Sequence, residues 1–195
     1  ASYLVGPESV DTTVSEIIAS AGIAQWAGAE TQKFGHITYF WNGNRSSKFD
    51  QELETYVEIP SDRVPFNERP WMKSAETADA AIEAVRSGEF GFIRMNLAGG
   101  DMVGHTADIA ATRIAVESVD LAIGRLAEAV RAASGCLIVT ADHGNADDKV
   151  ERDSDGEPLT NDNGEPELRT AHSLNPVIFA MRDYAEPAIR LRDDL

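Results

Sequence analysis

Two rhythms of apolar and polar positions run through the chain. Short apolar segments bounded by turn residues predict strands at Tyr3–Val5, His36–Trp41, Phe92–Leu97, Leu137–Thr140 and Val177–Met181. Between them, apolar residues recur at helical spacing. Val10–Ala21, after Ser9, predicts one helix, and Ala75–Ser87 a second, with Ser74 as its N-cap and Gly88 as its stop. The longest helix is predicted over Asp108–Ala133, which is Ala-rich, carries Ile109, Ile114, Val119, Leu121, Ile123, Leu126 and Val130, and is followed by Gly135. Strands alternating with helices predict an α/β fold, a mostly parallel sheet covered on both faces. Ligands of such sheets bind beyond the carboxyl ends of the strands.

Two stretches break the rhythm. Pro60–Pro70 reads as an irregular connector. Glu151–Glu167 holds two Gly-Glu-Pro units, each after an Asp/Asn pair, which predicts two tight turns in an exposed hairpin excursion. A calcium loop is the tempting alternative, but its glycine falls at the wrong offset for an EF-hand.

The 195 residues are enough for one domain with a sizeable core, and a hydrophobic fraction of 43% excludes a disordered chain. The net charge of −16 argues against nucleic acid or an anionic membrane as partner. An anionic substrate would therefore need a locally positive site, supplied by bound cations and a few Lys or Arg. Cys136 is the single cysteine, so no intrachain disulfide forms. Its apolar setting predicts a buried small hydrophobe, and a reduced, cytoplasmic location fits. No transmembrane run or signal peptide is visible. The chain opens Ala-Ser-Tyr-Leu-Val without a Met, and we expect it to be a piece of a longer protein.

The chemistry concentrates on histidines. Asp101 and His105 are four apart, which places both on one face of a helical turn, and Gly104 lets the backbone pass close. The bland alternative is a helix start capped by Asp101 beside a solvated His105. Asp142 and His143 directly follow a predicted strand, where Gly144 permits the turn that would aim both at one ion. A strand-end turn with a hydrogen-bonded histidine explains that pair equally well. His172 would be a third imidazole on the same edge. Together these residues suit two divalent cations, because imidazole favours borderline metals and carboxylate tolerates hard ones. Two-metal sites are an established means of handling phosphoryl groups. Read from the residues alone, Lys33 is a solvated lysine before a strand, His36 a satisfied core histidine, and Arg45 a surface residue in a tight turn.

Three segments go further: Ala29-Glu-Thr-Gln-Lys-Phe-Gly-His-Ile-Thr-Tyr-Phe-Trp-Asn-Gly-Asn-Arg45, Asn96-Leu-Ala-Gly-Gly-Asp-Met-Val-Gly-His-Thr106 and Thr140-Ala-Asp-His-Gly-Asn-Ala146. In this order they resemble cofactor-independent phosphoglycerate mutase, of the alkaline phosphatase superfamily, and most closely its plant-like branch. The resemblance runs over nearly the whole chain. It implies that Asp101, His105 and His172 ligate one metal, that Asp142 and His143 ligate another, and that Lys33 contacts the substrate phosphoryl group. The metals would be manganese in many members, with magnesium, zinc or cobalt in others. It implies a cytoplasmic, monomeric isomerase of glycolysis and gluconeogenesis that interconverts 3-phosphoglycerate and 2-phosphoglycerate through a phosphoserine.

The resemblance also implies that residues 1–195 are the C-terminal part of the phosphatase domain. The family's first strand, its serine nucleophile and its inserted transferase domain have no counterpart here. An incomplete alkaline-phosphatase-like fold and an inactive fragment are the resulting expectations. The rivals are another phosphatase of the superfamily, a phosphopentomutase, or a non-catalytic metal-binding domain.

Overall fold

The computed structural model describes residues 10, 12–186 and 188–191. The elements run α1 (Val14–Ser20), β1 (Gln25–Glu30), α2 (Thr31–Gly35), a π-helical turn (His36–Phe40), β2 (Glu54–Ile59), α3 (Ser74–Ser87), β3 (Phe92–Asn96), α4 (Gly99–Met102), α5 (Ile109–Ala132), β4 (Cys136–Thr140) and β5 (Phe179–Asp183). Strands β2, β1 and β3 form a parallel sheet in that order. Strands β4 and β5 pair antiparallel in a second, two-stranded sheet.

The central strand β1 is buried along its whole length, and its two faces meet different layers. Trp26 points with Val57, Ile93 and Met95 into a core closed by Ala81 and Ile82 of α3 and Leu126, Ala129 and Val130 of α5. Ala27 and Ala29 point the other way, against Phe34, Ile37 and Tyr56. A Cβ at Gly28 would strike the Trp26 indole, so glycine is what lets that ring lie flat along its own strand.

Helix α5 starts where Asp108 caps it, its Oδ1 accepting from Ala111 N at 2.9 Å. Helix α3 stops at Gly88, in the left-handed region at φ 68°, as the sequence predicts. Ser74 is the first residue of α3 rather than its cap.

Several expectations are corrected. The strand predicted over His36–Trp41 is the π-helical turn instead. Its apolar, β-branched composition mimics a strand, but Trp41 N donates to His36 O, and the Thr38 hydroxyl donates to Phe34 O at 2.7 Å. Strands β1 and β2 had no predicted counterpart. The last strand begins two residues later than expected, at Phe179. Cys136 is exposed, because the pleat of β4 turns Leu137 toward the core and leaves Cys136 and Ile138 on the open face. The strand expected at Tyr3–Val5 lies outside the described residues.

The acidic excursion does make two tight turns, and they close into a ring. Leu159 N donates to Glu151 O at 2.8 Å, Glu167 N to Leu159 O at 2.8 Å, and Glu151 N to Glu167 O at 2.9 Å. Asp153 and Asn161 start the two turns alike, each side-chain oxygen accepting two backbone N–H groups further along. The open third corner is the neck, where Arg169 N donates to Lys149 O at 3.0 Å. No described helix is long and apolar enough to cross a membrane.

Candidate metal centre

The loops after β3 and β4 and the chain leaving the acidic ring meet at one place. Asp101 sits in α4, and His105 follows one turn later in a short 3-10 helix, Gly104–Thr106. The four-residue spacing brings His105 Nε2 to 3.0 Å from Asp101 Oδ1. His172 arrives from the far side, its Nε2 3.1 Å from Asp101 Oδ1 and 3.1 Å from His105 Nε2. It is held there because Ser173 N donates to Gly144 O at 2.9 Å, pairing this segment with the loop after β4. Glycine is needed at that crossing, since a Cβ at Gly144 would run into the Ser173 hydroxyl and the Asp147 carboxylate.

His143 stacks on His172 with ring centroids 3.5 Å apart and planes 16° apart. Asp142 Oδ2 lies 3.6 Å from His143 Nε2. The five residues singled out from the sequence thus gather at one edge. Among the described residues, Asp101, His143 and His172 also offer ligand atoms that all lie within 4.8 Å of one another, so Asp101 and His172 are shared between this trio and the one with His105, and the acidic excursion forms no such group.

Two features fit a metal. His105 Nδ1 lies 2.5 Å from the carbonyl of Thr170, so the ring's proton belongs on Nδ1 and the Nε2 lone pair is free for an ion. His143 Nδ1 is buried without a hydrogen-bond partner. With two carboxylates and three imidazoles, the donor set suits a borderline divalent cation.

Electrostatics hold Asp101 ionised. Partial burial alone would raise its carboxyl. The Lys33 ammonium at 2.5 Å, the Asn145 amide at 2.7 Å and the nearby positive charge outweigh that and bring it down to about 2. Lys33 is therefore not the solvated lysine its composition suggests. It is 5% exposed, on α2 after β1, with its ammonium turned toward Asp101.

His36 is also corrected. It is exposed at the end of α2, and Lys33, Asp142, Asp101 and His143 all act on its charge. Partial desolvation of the ring by its neighbours and then Lys33 lower its pKa, against the pull of the two carboxylates. Arg45 lies exposed over the Phe49 ring, as expected of a surface residue. Two residues with roles here were given none from the sequence, although Asn145 lies within the third quoted segment. Asn145 grips Asp101, and Lys149 grips Asn145 at 2.9 Å. Lys149 is pulled below the usual lysine range by burial and then by Arg169, with Asp147, Asp148 and Asp101 opposing.

A family model described as the metalloenzyme superfamily matches residues 3–192. The chain belongs to that superfamily. It is 48% identical over 194 residues to the 2,3-bisphosphoglycerate-independent phosphoglycerate mutase of Trypanosoma brucei brucei, covering 99% of this chain and 35% of that protein. It is 47% identical over 195 residues to a probable mutase of the same name from Arabidopsis thaliana, with the same coverage. The chain thus spans about a third of the length of these curated relatives.

Among solved structures it resembles a Leishmania mexicana phosphoglycerate mutase studied at low cobalt concentration. The TM-score is 0.91 and the identity 48%, over 93% of this chain and 33% of that one. The expected α/β fold, a mostly parallel sheet flanked by helices as in part of an alkaline-phosphatase-like domain, is borne out. So is the resemblance to the mutases.

Proposed function

We propose that this metalloenzyme-superfamily chain is the metal-binding C-terminal part of the phosphatase domain of a 2,3-bisphosphoglycerate-independent phosphoglycerate mutase. The longer protein is a cytoplasmic, monomeric isomerase of glycolysis and gluconeogenesis. It acts on 3-phosphoglycerate and 2-phosphoglycerate. The observation that carries the reading is the mutual approach of Asp101 Oδ1, His105 Nε2 and His172 Nε2 to 3.0–3.1 Å, in a chain alike to such mutases over 99% of its length.

In this reading Asp101, His105 and His172 hold one divalent ion, and Asp142 with His143 hold part of a second. Manganese is the first choice, and magnesium, zinc or cobalt are substitutes. Bound there, such ions lower the pKa of a coordinated hydroxyl and neutralise charge on a transferring phosphoryl group. Lys33 would give that group a charge-assisted hydrogen bond from beside Asp101. The sheet supports the domain assignment as well. Among the described residues, no ladder joins β4 to the three-stranded sheet, and Ile138, Ile178 and Phe179 stay exposed, as they would if a further strand completed the layer.

Lys33→Ala in the longer protein separates this reading from a generic metal-binding domain. With manganese saturating, kcat/KM for phosphoglycerate should fall about tenfold or more, as loss of a charge-assisted hydrogen bond would produce. Because Lys33 Nζ is bonded to Asp101, metal affinity should move too, which a solvated lysine would not cause. Wild-type kinetics and affinity in the variant would count against the substrate role.

A further inference from the structure

The metal reading leaves a question about Asp101: what keeps one particular oxygen of this carboxylate facing the imidazoles? We propose that Asn145 and Lys149 are positioning residues, Lys149 fixing the Asn145 carboxamide and the carboxamide holding Asp101 Oδ1 toward the ion site. The proposal rests on the reading of Asp101 as a metal ligand.

The hydrogen-bond chemistry runs in one direction. Lys149 Nζ has only protons to give, so the oxygen of Asn145 must face it, at 2.9 Å. The amide nitrogen must then face Asp101, and it donates to Oδ1 at 2.7 Å and to the backbone carbonyl at 3.1 Å. A carboxamide alone could sit either way round. With its oxygen toward Asp101 it would repel the carboxylate. Lys149 removes that choice.

The surroundings are built for this arrangement. Asn145 is 4% exposed and Lys149 9% exposed, and burial disfavours the Lys149 charge even with Asp147, Asp148 and Asp101 near it, so a lysine is a costly way merely to fill this space. Gly104 supplies the room. A Cβ there would collide with the Asn145 carboxamide, so the glycine between α4 and His105 lets Asn145 lie against the turn. Lys149 is itself anchored at the neck of the acidic ring, where its carbonyl accepts from Arg169 N at 3.0 Å. Lys33 takes the second oxygen of Asp101, at 2.5 Å. The carboxylate is thus held on both oxygens from opposite sides, with Oδ1 left near His105 and His172.

Manganese titration of the 195-residue chain tests the proposal. Asn145→Ala should weaken the tighter site about 10–100-fold, the usual loss when a hydrogen-bond partner of a ligand is removed. Lys149→Met should weaken it as well, by about tenfold. The sign is diagnostic. Charge alone predicts that removing a cation tightens binding of a dication. Lys149→Gln keeps an N–H donor and should recover most of the affinity. The double variant should be no weaker than Asn145→Ala, because both residues act through one contact.

Unchanged affinity in Asn145→Ala, or tighter binding in Lys149→Met, would overturn the proposal. If either variant fails to melt cooperatively without metal, Gly104→Ala offers another route. By pushing the carboxamide aside, it should give the same loss, and wild-type affinity there would be equally damaging. Should the unmodified chain take up no manganese, the metal reading fails instead, and the two failures are told apart.

Discussion

The 195-residue polypeptide, purified and assayed by itself, is expected to interconvert phosphoglycerates at least about 10³-fold more slowly than the longer protein, even with manganese saturating. In the proposed function the nucleophile is a serine, and the resemblance assigns none of this chain's serines to that role. The structure explains why the one beside the cluster does not substitute. Ser173 is adjacent to His172 but 4% exposed, and its hydroxyl is turned to the Asp147 carboxylate at 2.8 and 3.1 Å. It pins the loop after β4 and presents nothing to a substrate. Removing a nucleophile typically costs several orders of magnitude, because the remaining groups only bind and stabilise charge. A coupled enolase assay measures this. Robust metal-dependent turnover that survives exclusion of a contaminating mutase would place the nucleophile inside the chain and overturn the domain assignment.

His172→Ala is expected to weaken the tighter metal site about a hundredfold or more, beyond the 10–100-fold typical of a residue that merely supports a ligand. Three protein ligands with an open position make a strong site, whereas the two left behind make a weak one. The second ion should respond less, although His143 loses the ring it stacks on. The metal-free chain should melt almost as before, since the His172 side chain is 45% exposed and such substitutions usually fall within about 0.5 kcal/mol. Titration calorimetry with manganese or zinc, paired with thermal melting, reads both effects. Unchanged affinity would mean that His172 is not a ligand.

What the sequence made legible follows from how local each signal is. Helix α5 and strand β3 announce themselves through periodicity and bounding turn residues, and the histidines through short motifs at strand ends. Strand β1 does not, although it is the centre of the sheet. Its sequence, Gln25-Trp-Ala-Gly-Ala-Glu30, begins and ends with polar residues that are fully buried. Their burial is offset by distant partners. Gln25 exchanges hydrogen bonds with Ser15 and accepts from Arg94, and Glu30 accepts from Ser61 and from Lys73 N. No pattern within the strand contains that information.

The site divides in the same way. Asp101, His105, Asp142 and His143 could be singled out because motif and strand end coincide. The contact that buries Lys33 spans 68 residues, and the one that ties Asn145 to Asp101 spans 44, so neither contact is legible in a local pattern, although both residues lie in the quoted segments. The π-helical turn shows the reverse error. His36–Phe40 has the composition of a strand, yet its backbone hydrogen bonds are local.

Asp101, His105 and His172 are proposed to hold one ion, and Asp142 with His143 a second. Anomalous scattering at the manganese edge, from crystals of the chain grown with manganese, decides this division. The expected map has a strong peak bounded by Asp101, His105 and His172, and a weaker one beside Asp142 and His143. A single peak held by Asp101, His143 and His172, the other trio whose ligand atoms lie within 4.8 Å of one another, would rule that division out.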